Sequence, residues 1–401
     1  MNIAIVSSEY PPYHWGGVGS ASYCLANYLA EKNNVFVLTR KHNMPMVKNH
    51  QNIKIYMQPW FKFPIYFALS FGKNCTKKLN ELDIDITIVF GNMTLLPKKA
   101  YKKIKSPIIT KFCGTWMGER SQLKLGDISP FSISGINDLA VKYFSPLFDI
   151  YEDYALLYSD GVIIESFSEI RAINERMKKR YGSENFLEKR ENFFKLVPPP
   201  DLKIFSPDKK NIEIRRKFAN DEEKIIIYVG RLTGRKGLTE LIRIFHGYDE
   251  KYGDAKLILI GKGNVEPKLR RYCKKNGLEK KVYFLKELSF EEIATHYANA
   301  DLFLFSSKWE GFGLVLLEAM ASGLPCVSTP VGGAVEIINE KNGIIYKNEK
   351  EAVEGIRKCF DLDRRKIEKE IKEEFSPRNI ADKIEEICRD VITKGKVYSK
   401  L

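Results

Sequence analysis

The segment Glu310–Glu318 reads EGFGLVLLE, a glycine-containing turn between two carboxylates that leads into the apolar helical pattern LVLLEAMASG. The start of a helix carries unpaired backbone N–H groups and a partial positive charge, which suits a phosphate. Carboxylates can accept hydrogen bonds from sugar hydroxyls. The segment therefore predicts a site for a ligand with phosphate and sugar groups. An ordinary strand–turn–helix with a solvated Glu310 and a capping Glu318 is the alternative.

A second segment, residues 225–237, reads IIIYVGRLTGRKG. A β-branched run ends at Gly230, and the basic, glycine-rich turn that follows leads into the helical pattern LTELIRIF, which is typical of a phosphate-binding loop. The spacing of a Walker A motif is absent. Arg231, with a planar fork of donors, and Lys236, as a point charge, would neutralise a diphosphate. A solvated basic turn is the alternative.

The whole chain alternates apolar runs with helical patterns, which predicts an α/β protein with doubly wound sheets. Several runs are apolar throughout, as expected of parallel strands covered on both faces. The stretch Pro198–Asp201 (PPPD) is a semi-rigid connector near the middle, so we place a domain boundary there. Nine runs are predicted to be strands: IAIVSS, VFVLT, ITIVF, PIIT, GVIIES, IIIYVG, KLILIG, LFLFSS and PCVST.

These motifs resemble those of the retaining glycosyltransferases of the GT4 family (group 1). The resemblance rests on E-x7-E at Glu310/Glu318, on G-R-L-x-x-x-K-G at Gly230–Gly237, on the N-terminal IAIVSSEYPPYHWGGVGSASYCLANYLAEKNNVFVLT and on GLPCVSTPVGGAVEIINEKNGIIY at 323–346. It covers nearly the whole chain. It implies the GT-B fold, in which two Rossmann-like domains face a cleft and a C-terminal helix crosses back to the first domain.

The expected domains are an acceptor-side domain over residues 1–200, a nucleotide-sugar-binding domain over 201–375, and a C-terminal helix within 376–401 that packs on the first domain. The resemblance also assigns site residues. Glu310, Arg231 and Lys236 would be catalytic. The donor-binding residues would be Gly16, Gly17, Gly230, Phe312, Gly313, Leu314 and Glu318, with Glu318 at the ribose.

The activity implied is the retaining transfer of a hexosyl unit from a nucleotide-diphosphate sugar to a hydroxyl of a glycan or lipid-linked acceptor. The leaving phosphate would help to deprotonate the acceptor, so positioning and charge stabilisation would carry the catalysis. No cofactor is expected. A non-catalytic homologue that binds sugar nucleotides or acts as a scaffold is the alternative. A phosphorylase or epimerase of the same fold would need further acid/base residues or a lysine-bound cofactor, and no such set is evident.

The first domain departs from the family pattern at PIITKFCGTW, where Cys113 stands in place of a histidine before Gly114-Thr115. That histidine normally helps to orient the donor sugar, and a thiol is a weak hydrogen-bonding group. The departure predicts a different donor sugar or an altered activity. His14 is a candidate substitute, although a loop histidine without such a role is the more common case.

Two Asp-x-Asp pairs, Asp83–Asp85 and Asp361–Asp363, resemble the metal-binding pairs of the other large glycosyltransferase fold. The first pair opens the strand ITIVF and the second lies in a charged helical region. Both are interpreted as solvated ends, because no convergent oxygen ligands are evident. The seven scattered cysteines show no zinc-binding spacing and suggest reduced thiols in the cytoplasm. We therefore expect no metal.

The 401-residue length suits two full α/β cores, and 44% hydrophobic with 29% charged residues is typical of a globular protein. No signal-peptide pattern and no run of about 18 apolar residues occurs, so we expect no membrane span.

The net charge of +14 implies an anionic partner, but no nucleic-acid-binding module is recognisable. The aromatic run Trp60–Phe71 and the lysines from Lys98 to Lys105 predict peripheral contact with the cytoplasmic membrane face. Core aromatics beneath a solvated lysine surface are the alternative.

Overall fold

The computed structural model describes residues 1–12, 17–60, 64–91, 96–115, 117, 120, 139, 142–286 and 288–396. The chain divides into two compact units. One comprises residues within 1–118, 144–199 and 377–401, and the other is built mainly from residues 200–376. None of the helices in the described ranges combines the length and the apolar character needed to cross a bilayer.

The first unit is built on a seven-stranded sheet whose paired strands all run parallel. Its strands are β1 (Asn2–Val6), β2 (Asn34–Arg40), β3 (Ile53–Gln58), β4 (Ile86–Phe90), β5 (Ile108–Lys111), β6 (Gly161–Ile164) and β7 (Phe193–Lys195). They lie in the order β3-β2-β1-β4-β5-β6-β7. The inner strands β1, β4, β5 and β6 are almost wholly buried because the sheet is covered on both faces.

Five helices connect these strands in the described part of the unit: α1 (Gly17–Leu29), α2 (Pro64–Glu81), α3 (Lys98–Lys103), α4 (Asp149–Tyr158) and α5 (Phe167–Tyr181). The helix α5 begins where the Ser166 side chain accepts a hydrogen bond from the Glu169 amide. It ends at Gly182, whose left-handed backbone (φ +68°) stops the helix. Apolar side chains from the helices form one core on each face of the sheet.

The second unit repeats this architecture with a six-stranded parallel sheet. Its strands are β8 (Lys224–Val229), β9 (Ala255–Ile260), β10 (Val282–Leu285), β11 (Leu302–Phe305), β12 (Cys326–Ser328) and β13 (Gly343–Ile345). Their order is β10-β9-β8-β11-β12-β13. Two Rossmann-like units with parallel sheets confirm the predicted α/β, doubly wound architecture.

The helices described in the second unit are α6 (Ile212–Arg216), α7 (Leu238–Tyr252), α8 (Glu266–Lys275), α9 (Phe290–Asn299), α10 (Leu314–Ala321), α11 (Ala334–Ile337), α12 (Glu349–Cys359) and α13 (Arg364–Glu374). The helix α9 begins with a capping box in which Ser289 and Glu292 bond each other's backbone amides. Three single 3-10 turns lie in the two units, at Ser145–Leu147, Pro207–Lys209 and Gly234–Lys236, among the residues described.

The last helix, α14 (Pro377–Lys394), belongs to the first unit although it follows the second in sequence. Its apolar side chains recur every three or four residues and so share one face. Ile384, Cys388 and Val391 on that face are buried in the same core as Leu25 and Ile163 of the first unit. The helix therefore completes one of the two cores of that unit.

Candidate functional site

The two segments that the sequence singles out flank one point of the second sheet. Connections leave the neighbouring strands β8 and β11 toward opposite edges of this sheet. Gly230–Gly237 follows β8, and Ser306–Gly313 follows β11. Ligands of open α/β sheets bind outside the carboxyl ends of the strands at such a switch point. The fold therefore brings both segments to the expected place for a ligand.

The turn before α7 is held by the segment after β11. Gly237 has a left-handed backbone (φ +63°), and a β-carbon there would lie 2.0 Å from the carbonyl oxygen of Ser306. The Ser306 hydroxyl donates to the carbonyl of Lys236 at 2.9 Å. The Lys308 amide donates to the carbonyl of Arg235, also at 2.9 Å. These contacts fix where the side chain of Lys236 begins.

A third loop, which the sequence analysis missed, supports the same turn. A β-carbon at Gly261 would lie 2.0 Å from the carbonyl oxygen of Gly230, and one at Gly263 would lie 2.0 Å from that of Leu232. The Leu232 amide donates to the carbonyl of Lys262 at 2.8 Å. The signal was available, because GKG directly follows the apolar run KLILI of β9. Glycines at such a position indicate close backbone approach.

The side chains of Lys236 and Glu310 form an ion pair. Both are largely withdrawn from solvent, with 13% and 15% of their side-chain surfaces exposed. Two groups that are distant in sequence therefore meet at the switch point. Arg231 is exposed, and its carbonyl accepts a hydrogen bond from the Tyr228 hydroxyl at 3.3 Å. Of these two cations, Lys236 is paired within the site and Arg231 faces solvent.

The turn before α10 also depends on glycine. Gly313 has φ +98° and precedes the helix without a side-chain cap, and the half-buried Leu314 is the first helical residue. Phe312 is buried, and its carbonyl accepts a hydrogen bond from the Gly333 amide at 2.7 Å. A β-carbon at Gly333 would lie 2.3 Å from the Phe312 ring. The Gly332-Gly333 turn, for which the sequence analysis assigned no role, therefore positions this helix start.

Glu318 lies on α10 and is almost completely buried. Burial, and then the neighbouring carboxylate of Asp201, raises the pKa of Glu318 to about 8. Burial also raises the pKa of Asp201, whose carboxylate accepts a hydrogen bond from the Lys203 amide. Asp201 was assigned only to the connector between domains. The carboxyl of Glu318 is therefore mostly protonated at neutral pH and can donate as well as accept a hydrogen bond.

In the first unit, Gly17 is exposed at the start of α1, whereas Gly16 and His14 lie outside the described residues. Cys113 is half-buried just after β5, and its Sγ lies 3.8 Å from Nζ of Lys111. Burial raises the pKa of the Cys113 thiol well above its ordinary value. The group in the place of the family histidine is therefore a neutral thiol.

A buried ionisable cluster surrounds Cys113 at the carboxyl edge of the first sheet. Lys111 forms an ion pair with Glu165, and both are nearly inaccessible to solvent. Burial, and then the nearby Glu165, raises the pKa of Glu169 to about 8. No motif in the sequence indicated this cluster, although a lysine within the apolar run PIITKF is an unusual residue for a buried strand.

The Asp-x-Asp pairs have structural partners. The Asp85 carboxylate accepts a hydrogen bond from the Asn2 amide, and Asp363 caps the first turn of α13. No group of three or more His, Cys, Asp or Glu side chains placed to hold a metal ion occurs in the part of the chain that the structure describes.

Comparison with known proteins shows similarity to glycosyltransferases. Residues 209–389 match the glycosyl transferases group 1 family. An uncharacterized glycosyltransferase of Methanocaldococcus jannaschii is 29% identical over 354 residues, which cover 86% of this chain and 84% of the relative. Residues 209–389 therefore match the group 1 glycosyl transferases, and the resemblance that the sequence motifs indicated is confirmed.

Solved structures show the same fold. Sucrose-phosphate synthase from Thermosynechococcus elongatus is 18% identical, with a TM-score of 0.76 over 98% of this chain and 100% of the other. HepE from Anabaena, solved in complex with UDP-glucose, is 16% identical, with a TM-score of 0.65 over 97% of this chain and 100% of the other. The two Rossmann-like units are therefore those of the GT-B fold.

We predict that Gly237→Ala destabilises the second unit more than Gly277→Ala does. Both glycines have left-handed backbones, but a β-carbon at Gly237 meets the Ser306 carbonyl, whereas one at Gly277 meets nothing within 4 Å. The left-handed strain is common to both variants, so the clash alone separates them. We expect the Gly237 variant to lose about 1–3 kcal/mol more free energy of unfolding than the control, which is typical of overpacking. Urea unfolding measures the free energy of each variant. Equal losses in the two variants would contradict the close approach of Gly237 to the Ser306 carbonyl.

The second prediction concerns pH and Glu318. The folded-state pKa of about 8 lies above the ordinary value of 4.5, so between these values the folded protein holds a proton that the unfolded chain releases. Stability from this proton is fully present below pH 4.5 and is lost as the pH rises through about 8. We expect the urea midpoint to fall over that range, and to fall less steeply in Glu318→Gln.

A single titrating group such as Glu318 changes the free energy of unfolding by at most about 1.4 kcal/mol per pH unit. Glu169, whose pKa is also about 8, keeps part of the slope in both proteins. The exposed residue Glu374 provides the control, because Glu374→Gln should leave the slope as it is in the wild type. Parallel pH profiles for the wild type and Glu318→Gln would show that Glu318 is ionised in the folded protein.

Proposed function

We propose that the protein is a retaining hexosyltransferase. It takes a hexosyl unit from a nucleotide-diphosphate sugar and transfers it to a hydroxyl of a glycan or lipid-linked acceptor. The observation that carries the proposal is the Lys236–Glu310 ion pair at the switch point of the second sheet, beside the helix start at Gly313. The UDP-glucose complex of the Anabaena HepE, which shares the fold, supports the donor class.

The positive groups of the site would receive the donor diphosphate. Arg231 faces solvent and is available to a ligand, and the uncapped start of α10 adds the partial positive charge of backbone N–H groups. Lys236 carries three donors, so it can keep Glu310 while it also donates to a phosphate oxygen. The ion pair then serves to hold the ammonium in position before the donor arrives.

Glu310 would act on the transferred sugar. It begins the turn that Gly332 and Phe312 hold, and its carboxylate is oriented by Lys236. A carboxylate in this position accepts hydrogen bonds from sugar hydroxyls and stabilises positive charge that develops at the anomeric carbon. Glu318, mostly protonated, would hold the ribose hydroxyls of the donor.

The reaction requires no dedicated base in this proposal. The bond between the anomeric carbon and the phosphate oxygen breaks, and the acceptor oxygen bonds to the same face of that carbon. The acceptor proton passes to the departing diphosphate. Arg231, Lys236 and the start of α10 stabilise the charge that the leaving group gains.

The neutral thiol of Cys113 favours one second candidate, a non-catalytic homologue that binds sugar nucleotides. A histidine can donate and accept strong hydrogen bonds, whereas a thiol is weak in both roles. Such a protein would bind the donor without breaking its glycosidic bond. Thermal stabilisation by UDP-, GDP- and ADP-sugars, followed by measurement of donor hydrolysis, separates binding from turnover.

We predict that Glu310→Gln keeps donor binding but lowers turnover by about 100- to 1,000-fold. Lys236→Met should weaken the binding of a nucleoside diphosphate by about tenfold or more and leave the binding of the free nucleoside unchanged. The matched controls are Lys251→Met and Glu354→Gln, which break a solvent-exposed lysine–glutamate pair in the same unit. Calorimetric titration and a donor-hydrolysis assay measure both effects. Normal turnover in Glu310→Gln, or equal losses for nucleotide and nucleoside in Lys236→Met, would refute the roles proposed.

We further predict that activity does not depend on a divalent metal. The cationic side chains and the helix start already supply positive charge for the leaving group. Treatment with EDTA should leave the rate unchanged, and added Mn²⁺ or Mg²⁺ should not raise it. Loss of activity in EDTA that either ion restores would overturn the proposal of a metal-independent enzyme.

A further inference from the structure

The start of α4 exposes large apolar side chains to solvent. Phe144, Leu147 and Ile150 are 55%, 59% and 38% exposed, and they occur within one short stretch of the first unit. Single exposed apolar residues are ordinary on a protein surface, but a cluster of them marks an interaction site. The stretch is the 3-10 turn Ser145–Leu147 and the beginning of α4, so these side chains are fixed on regular structure.

A row of tyrosines continues from this cluster along α4. Tyr151, Tyr154 and Tyr158 recur at three- and four-residue spacing, and each is half-buried against the core beneath. The ring centroids of Tyr151 and Tyr154 lie 5.9 Å apart, and those of Tyr154 and Tyr158 lie 6.1 Å apart. Tyrosine combines an apolar ring with a polar end, which suits the boundary between water and lipid.

The adjoining helix α3 carries a positive face. Its four lysines are exposed on one side, Ala100 and Tyr101 are buried on the other, and Lys105 is exposed just beyond the helix. The two helices meet where the ring centroid of Tyr101 lies 6.5 Å from that of Tyr158. Nζ of Lys98 lies 4.9 Å from the centroid of the Tyr158 ring. The lysines therefore border the tyrosine row.

The acidic residues of α4 do not offset this charge at the surface. Asp149, Glu152 and Asp153 are all buried. Arg176 on α5 forms ion pairs with both Glu152 and Asp153, beneath the surface. In the part of the chain that the structure describes, the lysines of α3 form no salt bridge. The outward side of α3 and α4 is therefore positive and apolar, with its negative charge turned inward.

We propose that this surface, which we call the α3–α4 face (Lys98, Lys99, Lys102, Lys103, Lys105, Phe144, Leu147, Ile150 and the tyrosine row), docks the protein on an anionic lipid bilayer. Apolar side chains enter the interface between headgroups and acyl chains, and long lysine side chains reach the anionic headgroups. The inference does not depend on the donor or the chemistry proposed above. If a lipid-linked acceptor is the substrate, the face would bring the first unit to it.

Only the two ends of the aromatic run Trp60–Phe71, which was predicted to act with the lysines, have described side chains. Residues 61–63 of that run, and the side chains of 64–69, lie outside the described part of the chain. The Trp60 indole donates to the Lys41 carbonyl at 3.0 Å, and the Arg40 guanidinium lies over its ring. Phe71 is completely buried in the core. Among the described residues, the apolar part of the proposed interface is supplied by Phe144–Ile150 and α4.

The experiment is co-sedimentation of the full-length protein with sucrose-loaded vesicles of phosphatidylcholine, with and without phosphatidylglycerol. We expect binding only to the vesicles that contain phosphatidylglycerol, and a decrease of binding as salt rises. A protein that stays in the supernatant with anionic vesicles at low salt overturns the proposal. An acidic protein partner would then be the better occupant of the face.

Variants test whether this face, rather than the total charge, binds the vesicles. Lys99→Ala/Lys103→Ala should lower the partition coefficient by about fivefold for each lysine. Lys209→Ala/Lys210→Ala removes the same charge from exposed positions on the second unit and should have little effect. Equal losses in the two double variants would mean that net charge alone attracts the lipid, and would overturn the proposal.

The apolar contribution needs its own pair of variants. Phe144→Ser/Leu147→Ser should lower the partition coefficient by about tenfold or more. Ile212→Ser changes an exposed apolar residue of the second unit and serves as control. All substituted side chains are exposed, so melting temperature and donor binding should stay unchanged, which separates failure of this proposal from failure of the proposed function. Wild-type binding by the Phe144/Leu147 variant would overturn insertion into the bilayer.

Discussion

The backbone at Gly237 approaches the Ser306 carbonyl so closely that no β-carbon fits between them, and the candidate site depends on this approach. It brings the turn after β8 against the segment after β11, so that Lys236 and Glu310 meet. Gly261 and Gly263 set the other side of the same turn against the loop after β9. Glycine therefore works here through the absence of a side chain, which lets three loops share one small volume. The charged side chains are placed by this backbone packing, and their electrostatics follow from it.

The strands show what a sequence pattern can reveal. The nine apolar runs predicted as strands are the nine inner strands of the two sheets, β1, β2, β4, β5, β6, β8, β9, β11 and β12. The four that the analysis did not predict, β3, β7, β10 and β13, lie at the sheet edges. Inner parallel strands are buried on both faces and read as continuous apolar runs. Edge strands are only partly buried, so segments such as IKIYMQ and FFK do not carry that signal.

Some residues of the candidate site could be predicted from the sequence, and others could not. Arg231, Lys236, Glu310 and Glu318 lie in short local motifs, so the sequence alone could single them out. Groups that arrive from other strands could not be found in this way. Asp201 raises the pKa of Glu318 from a different part of the chain, and Glu165 and Glu169 reach Cys113 from the end of β6 and the start of α5. Such contacts depend on strand order, which local spacing does not specify.

The path of the chain through the two units bears on how the protein is made. The first unit lacks part of its core until α14 is in place, because Ile384, Cys388 and Val391 are buried among its residues. A ribosome produces the chain from the N-terminus at about 5–20 residues per second, so all of residues 200–376 emerge before that helix. The second unit can finish folding while the first still exposes an apolar groove. The first unit, although it is synthesised first, would therefore need chaperones for the longest time.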